Sequence, residues 1–173
     1  MGESIEHRQA NGVMHATLED GVLEGELRLE ENGRLLMVLR YQQGNLHGMM
    51  ESWHSNGELA MQQNYLCGQA QGKARYWSPE GKLLREETWN KGQLEGECRS
   101  FYPSGQVQTR EQWHNGLRQQ MSEQFYPDGS LASRQQFESG KLKGEGERWL
   151  PDGRVVDAAG KAQSRLSKWT ERL

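Results

Sequence analysis

The sequence predicts an all-β protein, an elongated single-layer antiparallel meander of β-hairpin repeats with a 24-residue period and a short C-terminal capping helix. An aromatic residue recurs every twelve positions, glycines recur in a matching alternation, and the residues between them alternate as in strands. Two aromatics and two turns therefore make one repeat. The aromatic series is Tyr41, Trp53, Tyr65, Trp77, Trp89, Phe101, Trp113, Phe125, Phe137 and Trp149.

The first turn of each repeat has glycine as its fourth residue, and the later repeats add proline as the second. Its copies are HSNG, SPEG, YPSG, YPDG and LPDG, and they hold all four prolines of the chain. Proline suits the second position of a type I turn, and glycine suits the left-handed residue of the bulge that follows. The proline positions therefore predict hairpin turns and leave the strands uninterrupted.

The second turn is centred on the glycine at each repeat boundary, as in WNKG, WHNG and FESG. Strand parity between the turns puts Leu83, Arg85, Glu87 and Trp89 on one face, with Leu84, Glu86 and Thr88 on the other. We expect the aromatics to stack in rows along one face. Charged ladders should lie beside these rows, formed by Arg75, Arg85, Glu87, Arg99 and Glu111.

The 24-residue period covers only the middle of the chain, so the sequence predicts three segments. Residues 1–20 are predicted to be degenerate N-terminal strands or a cap, residues 21–157 the hairpin repeats, and residues 158–173 a C-terminal helical cap. Within the last segment, Leu166, Trp169 and Leu173 lie at helical spacing. We expect this helix to cover the last strand, because open sheet edges invite aggregation and repeat arrays need caps.

Composition and charge limit the partners, cofactors and activities that we expect for this chain. The net charge is −3, which argues against nucleic acid as a partner, and no apolar run is long enough to cross a bilayer. The five histidines are not at metal-ligand spacing, so no metal, cofactor or catalytic residue is predicted. Cys67 and Cys98 occupy unlike positions and are predicted to be free thiols.

The repeat has the form GxLxGxxxx(W/F)xxxGx(L/V)xxxxx(Y/W/F)xxG, and residues 92–116 follow it closely. Over about residues 21–156 the chain resembles the bacterial MORN-repeat variant family, in the group often described as YwqK-type antitoxins. The resemblance implies an elongated hairpin sheet and a protein that binds and neutralises a toxic partner. Type VI secretion effectors, including lipases, are among the implied partners. The segment GLRQQ at 116–120 departs from the pattern and marks a bend or a local contact site.

The predicted function is therefore that of a non-enzymatic immunity protein or antitoxin, which occludes a toxin. The candidate contact residues are the variable or aromatic positions beside the turns, namely Arg75, Tyr76, Arg85, Glu87, Arg99, Tyr102 and Tyr126. An enzyme, a membrane-associated protein and a structural scaffold are the alternatives, and strong binding to membranes is not expected. The sequence as it stands predicts a cytoplasmic protein, or a periplasmic one if a leader has been removed. The oligomeric state stays open, a monomer included.

Overall fold

The structure is a computed structural model and describes residues 2–9, 12–156 and 161–162. The chain divides into two compact units, residues 1–95 and residues 96–173. The strands of unit 1 are β1 (Glu3–Gln9), β2 (Gly12–Glu19), β3 (Val22–Leu23), β4 (Gly25–Glu31), β5 (Arg34–Gln42), β6 (Asn45–Leu46), β7 (Gly48–Trp53), β8 (Leu59–Leu66), β9 (Gln69–Trp77), β10 (Leu83–Asn90) and β11 (Gln93–Leu94). Those of unit 2 are β12 (Gly96–Phe101), β13 (Val107–His114), β14 (Leu117–Phe125), β15 (Leu131–Glu138), β16 (Lys141–Trp149) and β17 (Val155–Val156).

Successive long strands pair antiparallel in each unit, and each two-residue strand pairs with the long strand before it. In unit 1 the pairing runs from β1–β2 to β10–β11, and in unit 2 from β12–β13 to β16–β17. The two-residue strands β3, β6 and β11 each precede a longer strand after a one-residue interruption. The predicted all-β antiparallel meander of hairpin repeats is confirmed, and none of the described residues is helical.

The turns have the predicted chemistry. In the first turn, Gly105 has φ 90° and its amide donates to the Tyr102 carbonyl oxygen at 2.8 Å. In the second turn, Lys91 and Gly92 have φ of 49° and 77°, which is the two-residue type I′ geometry that follows the strand twist. The Gly92 amide donates to Ala70 O at 2.9 Å, so this turn also bonds to the start of β9, just after the preceding second turn.

A β-bulge follows the first turn and changes which face a residue occupies. Leu83 pairs with Trp77, whereas Arg85 pairs with Tyr76, so Leu84 is the extra residue. Directly paired residues share a face. The prediction that Leu83 lies with Arg85 was therefore wrong, because one inserted residue reverses the alternation.

The aromatics that precede the first turns, such as Phe125, and those that precede the second turns, such as Trp113, occupy opposite faces, which corrects the prediction of rows along one face. In unit 2 the guanidinium carbon of Arg110 lies 5.3 Å from the Phe125 ring centroid, and Trp113 Nε1 donates to Glu111 from the opposite side of β13. We call the side that carries Glu87 in unit 1 and Glu111 in unit 2 the carboxylate face. The other side, which carries Arg75 and Arg110 respectively, is called the ladder face.

The core is thin. Among the described residues the buried hydrophobic side chains are Ala16, Leu27, Val38, Ala74 and Cys98, and the buried polar ones are Gln63, Ser78 and Glu87. Small residues line the carboxylate face, and long polar residues on the neighbouring strands cover them. Ala74, for instance, is fully buried between its strand partners Gln63 and Glu87. A single layer thus buries little and leaves the rings of the aromatic series only partly buried.

The predicted N-terminal segment contains the β1–β2 hairpin, whose register runs from Glu3 opposite Leu18 to Gln9 opposite Gly12. At the other end, Val156 and Ala162 form an isolated antiparallel bridge. Residues 157–160 and 163–173, which hold most of the predicted helical cap, lie outside the described residues.

Candidate functional site

A hydrogen-bonded cluster centred on Glu87 lies on the carboxylate face of unit 1. The Tyr76 hydroxyl donates to Glu87 Oε2 at 3.2 Å, and the Trp89 indole donates to the same oxygen at 3.0 Å. Arg85 Nε donates to the other carboxylate oxygen. The Glu87 side chain is only 8% exposed, so these donors offset the free energy cost of burying its charge.

Tyr76 is the titratable group that this cluster perturbs most clearly. Burial of the phenol, followed by the negative charge of Glu87, raises the pKa of Tyr76 to about 12. Both effects disfavour the phenolate, since the ionised oxygen would lose water and repel the carboxylate. Tyr76 therefore serves as a hydrogen-bond donor over the whole physiological pH range.

A second cluster repeats this arrangement on the carboxylate face of unit 2. The Trp113 indole donates to Glu111 Oε2 at 3.2 Å, and Arg118 Nη2 lies 2.8 Å from Glu111 Oε1. The Arg118 guanidinium carbon lies 5.5 Å from the Trp113 ring centroid and 5.3 Å from that of Phe137. The cluster thus joins one carboxylate, one guanidinium and two rings from three adjacent strands.

The structure brings together three of the seven predicted contact residues, Tyr76, Arg85 and Glu87. Arg75 lies on the ladder face, where its Nε donates to Glu86 at 2.9 Å. In unit 2, Arg99 pairs with Glu97 at 3.2 Å and lies 5.8 Å from the Phe101 ring centroid.

Tyr102 and Tyr126 act as braces inside the fold. Each hydroxyl donates to a backbone carbonyl of the residue 23 positions later, at 2.8 Å for Tyr102 to Phe125 and 2.9 Å for Tyr126 to Trp149. His54 places Nε2 2.9 Å from the equivalent carbonyl oxygen of Trp77. The tyrosines that the sequence offers as contact residues therefore already have a structural partner in the fold.

Glu111, Trp113, Arg118 and Phe137 belong to the unit 2 cluster but were missed as candidate residues. Two signals in the sequence point to them. The pattern Glu-x-Trp directly before a second turn occurs at 87–89 and 111–113, and the departure from the repeat at 116–120 contains Arg118. Their association, however, depends on strand register, which pairs Trp113 with Arg118.

A polar trough lies beside this cluster in unit 2. Gln135 packs over Gly146, where an added Cβ would come within 2.8 Å of Gln135 Cγ. The trough is open to solvent and is lined by amide, hydroxyl and charged groups together with Leu142 and two valines. Its lining includes Gln124, Ser133, Gln135, Arg148, Val155 and Val156.

Within residues 2–9, 12–156 and 161–162, no group of three or more His, Cys, Asp or Glu side chains is arranged to hold a metal ion. The same part of the chain contains no helix long and apolar enough to cross a membrane.

The fold and these clusters define an antiparallel β-hairpin repeat protein whose faces carry fixed arginine, carboxylate and aromatic groups. Three of its repeats, residues 46–66, 70–91 and 94–115, match the family model described as MORN repeat variant. No curated protein matches the chain. Among solved structures, the crystal structure of TarM matches with 11% sequence identity and a TM-score of 0.21, over 66% of this chain and 21% of that one. The chain thus spans about a fifth of the length of that protein.

Proposed function

We propose that this protein is a non-enzymatic immunity protein or antitoxin, which binds a cognate bacterial toxin and neutralises it by occlusion. The observation that carries the proposal is that arginine and aromatic side chains are held in fixed positions on a one-layer sheet, where they remain accessible. Arg85 and Arg118, for example, keep 44% and 40% of their side chains exposed while paired with nearly buried carboxylates.

Such pre-ordered side chains favour protein binding for an energetic reason. Ordering a long side chain costs about 0.5–1.5 kcal/mol when a complex forms, and here ion pairs and rings already impose that order. Tryptophan, tyrosine and arginine are also the residue types that dominate binding energy in interfaces. The matches to MORN repeat variant agree with a binding or scaffold role.

The state of the carboxylates supports binding over acid–base catalysis. Glu87 accepts bonds from a phenol, an indole and a guanidinium, so its oxygens are occupied by structural partners. A general base needs a free lone pair directed at a substrate. The toxin class that the repeat resemblance favours is a secreted effector such as a type VI lipase.

The test is rescue of cells that express the toxin encoded by a neighbouring gene. Co-expression of this protein should restore growth, and the two proteins should co-elute in size-exclusion chromatography. Unrestored growth at matched expression levels, with a folded protein, would overturn the proposal.

A further inference from the structure

Arg118 is the most unusual residue on the carboxylate face because of the position it occupies in the repeat. The consensus GxLxG places leucine there, and the equivalent residues are Leu23, Leu46, Leu94 and Leu142. In the remaining copy the position is Ala70. One repeat has thus replaced an apolar side chain with a permanently charged one.

The surroundings of Arg118 hold its guanidinium in place without covering it. The Trp113 ring lies on β13 and the Phe137 ring on β15, the two strands that flank β14. Their centroids are 5.5 Å and 5.3 Å from the guanidinium carbon, a distance at which a ring attracts a cation. Glu111, at 2.8 Å, fixes one end of the group.

The carboxylate of Glu111 contacts Arg118 at Nη2. A guanidinium has five N–H donors in a planar fork, which is more than one carboxylate can engage. Glu111 is only 13% exposed, whereas Arg118 is 40% exposed, so the guanidinium side chain is more accessible to a partner than the carboxylate that holds it. The edge of the guanidinium away from Glu111, which we call its open edge, has the donor geometry that fits the two oxygens of a second carboxylate.

An apolar surface adjoins the guanidinium. Leu142 pairs directly with Phe137 and therefore shares its face, and its side chain is 51% exposed. Together with the two rings it offers a contact for an apolar side chain next to the carboxylate. The positive charge of Arg118 and the apolar surface beside it thus fit a segment that carries a carboxylate next to an apolar side chain.

We infer that Arg118 is the anchor of a docking surface for an acidic segment of a partner protein, in which an Asp or Glu side chain is followed closely by an apolar one. This inference rests on the proposed function, because the segment would belong to the neutralised toxin. The partner carboxylate binds the open edge of Arg118, and its apolar neighbour packs on Phe137 and Leu142.

The chain itself supplies the variants for a test. R118L restores the residue that the repeat has elsewhere, so it should fold, and its thermal midpoint reports whether it does. R118K keeps the charge but not the planar fork. R134L is the matched control on the ladder face, since Arg134 also pairs with a carboxylate, at 3.1 Å, and lies 5.9 Å from the Trp149 ring centroid.

The experiment selects peptides from a random library displayed on phage, using the full-length wild-type protein as bait and R118L for counter-selection. Enriched peptides should carry Asp or Glu beside an apolar residue. In fluorescence anisotropy, a selected peptide should bind R118L at least about tenfold more weakly than wild type, R118K with an intermediate loss, and R134L unchanged. Replacing the peptide carboxylate by its amide should weaken binding to wild type by a similar factor.

The inference is overturned if no acidic peptide is enriched, if R118L binds as well as wild type, or if the amide peptide binds equally. Failure of the proposed function is a separate result. If wild type rescues poisoned cells and R118L rescues equally well, neutralisation stands and the role of Arg118 falls. If wild type does not rescue, neutralisation falls whatever the peptides show.

Discussion

The indole nitrogen of Trp89 donates a hydrogen bond to the carboxylate of Glu87 at 3.0 Å. One repeat later, Trp113 makes the same bond to Glu111 at 3.2 Å. The bond thus occurs in both units, at the two places where Glu-x-Trp stands directly before a second turn. Each of these carboxylates also pairs with an exposed arginine, Arg85 or Arg118. The same carboxylate therefore holds a tryptophan of the sheet and an arginine of the surface that we assign to binding.

Removal of the Glu87 carboxylate should destabilise unit 1. In Glu87→Ala the Tyr76, Arg85 and Trp89 donors lose a shared acceptor, and we expect a loss of about 2–4 kcal/mol in the free energy of unfolding. Glu87→Gln is the matched control, because Gln63 and Gln135 occupy the equivalent repeat positions. It should cost about 1 kcal/mol. Urea denaturation of the variants measures both, and equal losses would contradict the hydrogen-bonded arrangement.

The pKa of Tyr76 predicts a pH dependence at the alkaline end. The folded-state value of about 12 exceeds the ordinary value of about 10, so the folded state favours the protonated phenol. Its contribution to stability should be fully present below about pH 10 and lost as pH rises toward 12. Tyr76→Phe should show a smaller decrease in stability across that window.

A spectrophotometric titration of the phenolates checks the same point directly. The difference between wild type and Tyr76→Phe should show one tyrosine that ionises late. In Glu87→Gln that ionisation should move to lower pH, because the charge that opposes the phenolate is gone. A late-ionising tyrosine that persists in Tyr76→Phe would contradict the assignment.

The brace made by Tyr102 should contribute to stability without contributing to binding. Tyr102→Phe keeps the ring and loses the bond to the Phe125 carbonyl, which should cost about 0.5–1.5 kcal/mol in unfolding free energy. Growth rescue by this variant should equal that of wild type at temperatures where it is folded. Lost rescue with unchanged stability would instead make Tyr102 a contact residue, as the sequence suggested.

Cys67 occupies a turn position that favours asparagine. Its φ is 48°, its thiol is exposed, and the equivalent residue in unit 2 is Asn115 with φ 50°. Cys67→Asn should raise the unfolding free energy by about 0.5 kcal/mol, whereas Cys67→Val, which is β-branched and disfavours positive φ, should lower it. Thermal unfolding of the two variants measures the difference, and a stabilising valine would contradict the turn geometry.

The repeat could be predicted from the sequence because its signals are local. Glycine, joined by proline in four of the first turns, marks each turn within four residues, as in YPSG, and the aromatic period determines the repeat length. It was harder to predict which residues share a face of the sheet. The bulge at Leu84 reverses the alternation of side chains between the two faces, which counting along the sequence takes to be continuous.

The unit 2 cluster could not be predicted because its members meet only through strand register. Trp113, Arg118 and Phe137 lie on three different strands, and no spacing along the chain brings them together. The unit 1 cluster was found in part for the opposite reason. Arg85 and Glu87 are two residues apart on one strand, where strand parity alone puts them side by side.

Titration of the purified toxin's activity with this protein measures whether neutralisation occurs by binding. Inhibition should rise linearly and be complete at a fixed stoichiometric ratio. Activity should return when the complex is dissociated, with the toxin's mass unchanged. Complete inactivation at substoichiometric amounts with a change in mass would show catalysis, and undiminished activity at excess would show that no neutralisation occurs. Either result would contradict neutralisation by stoichiometric binding.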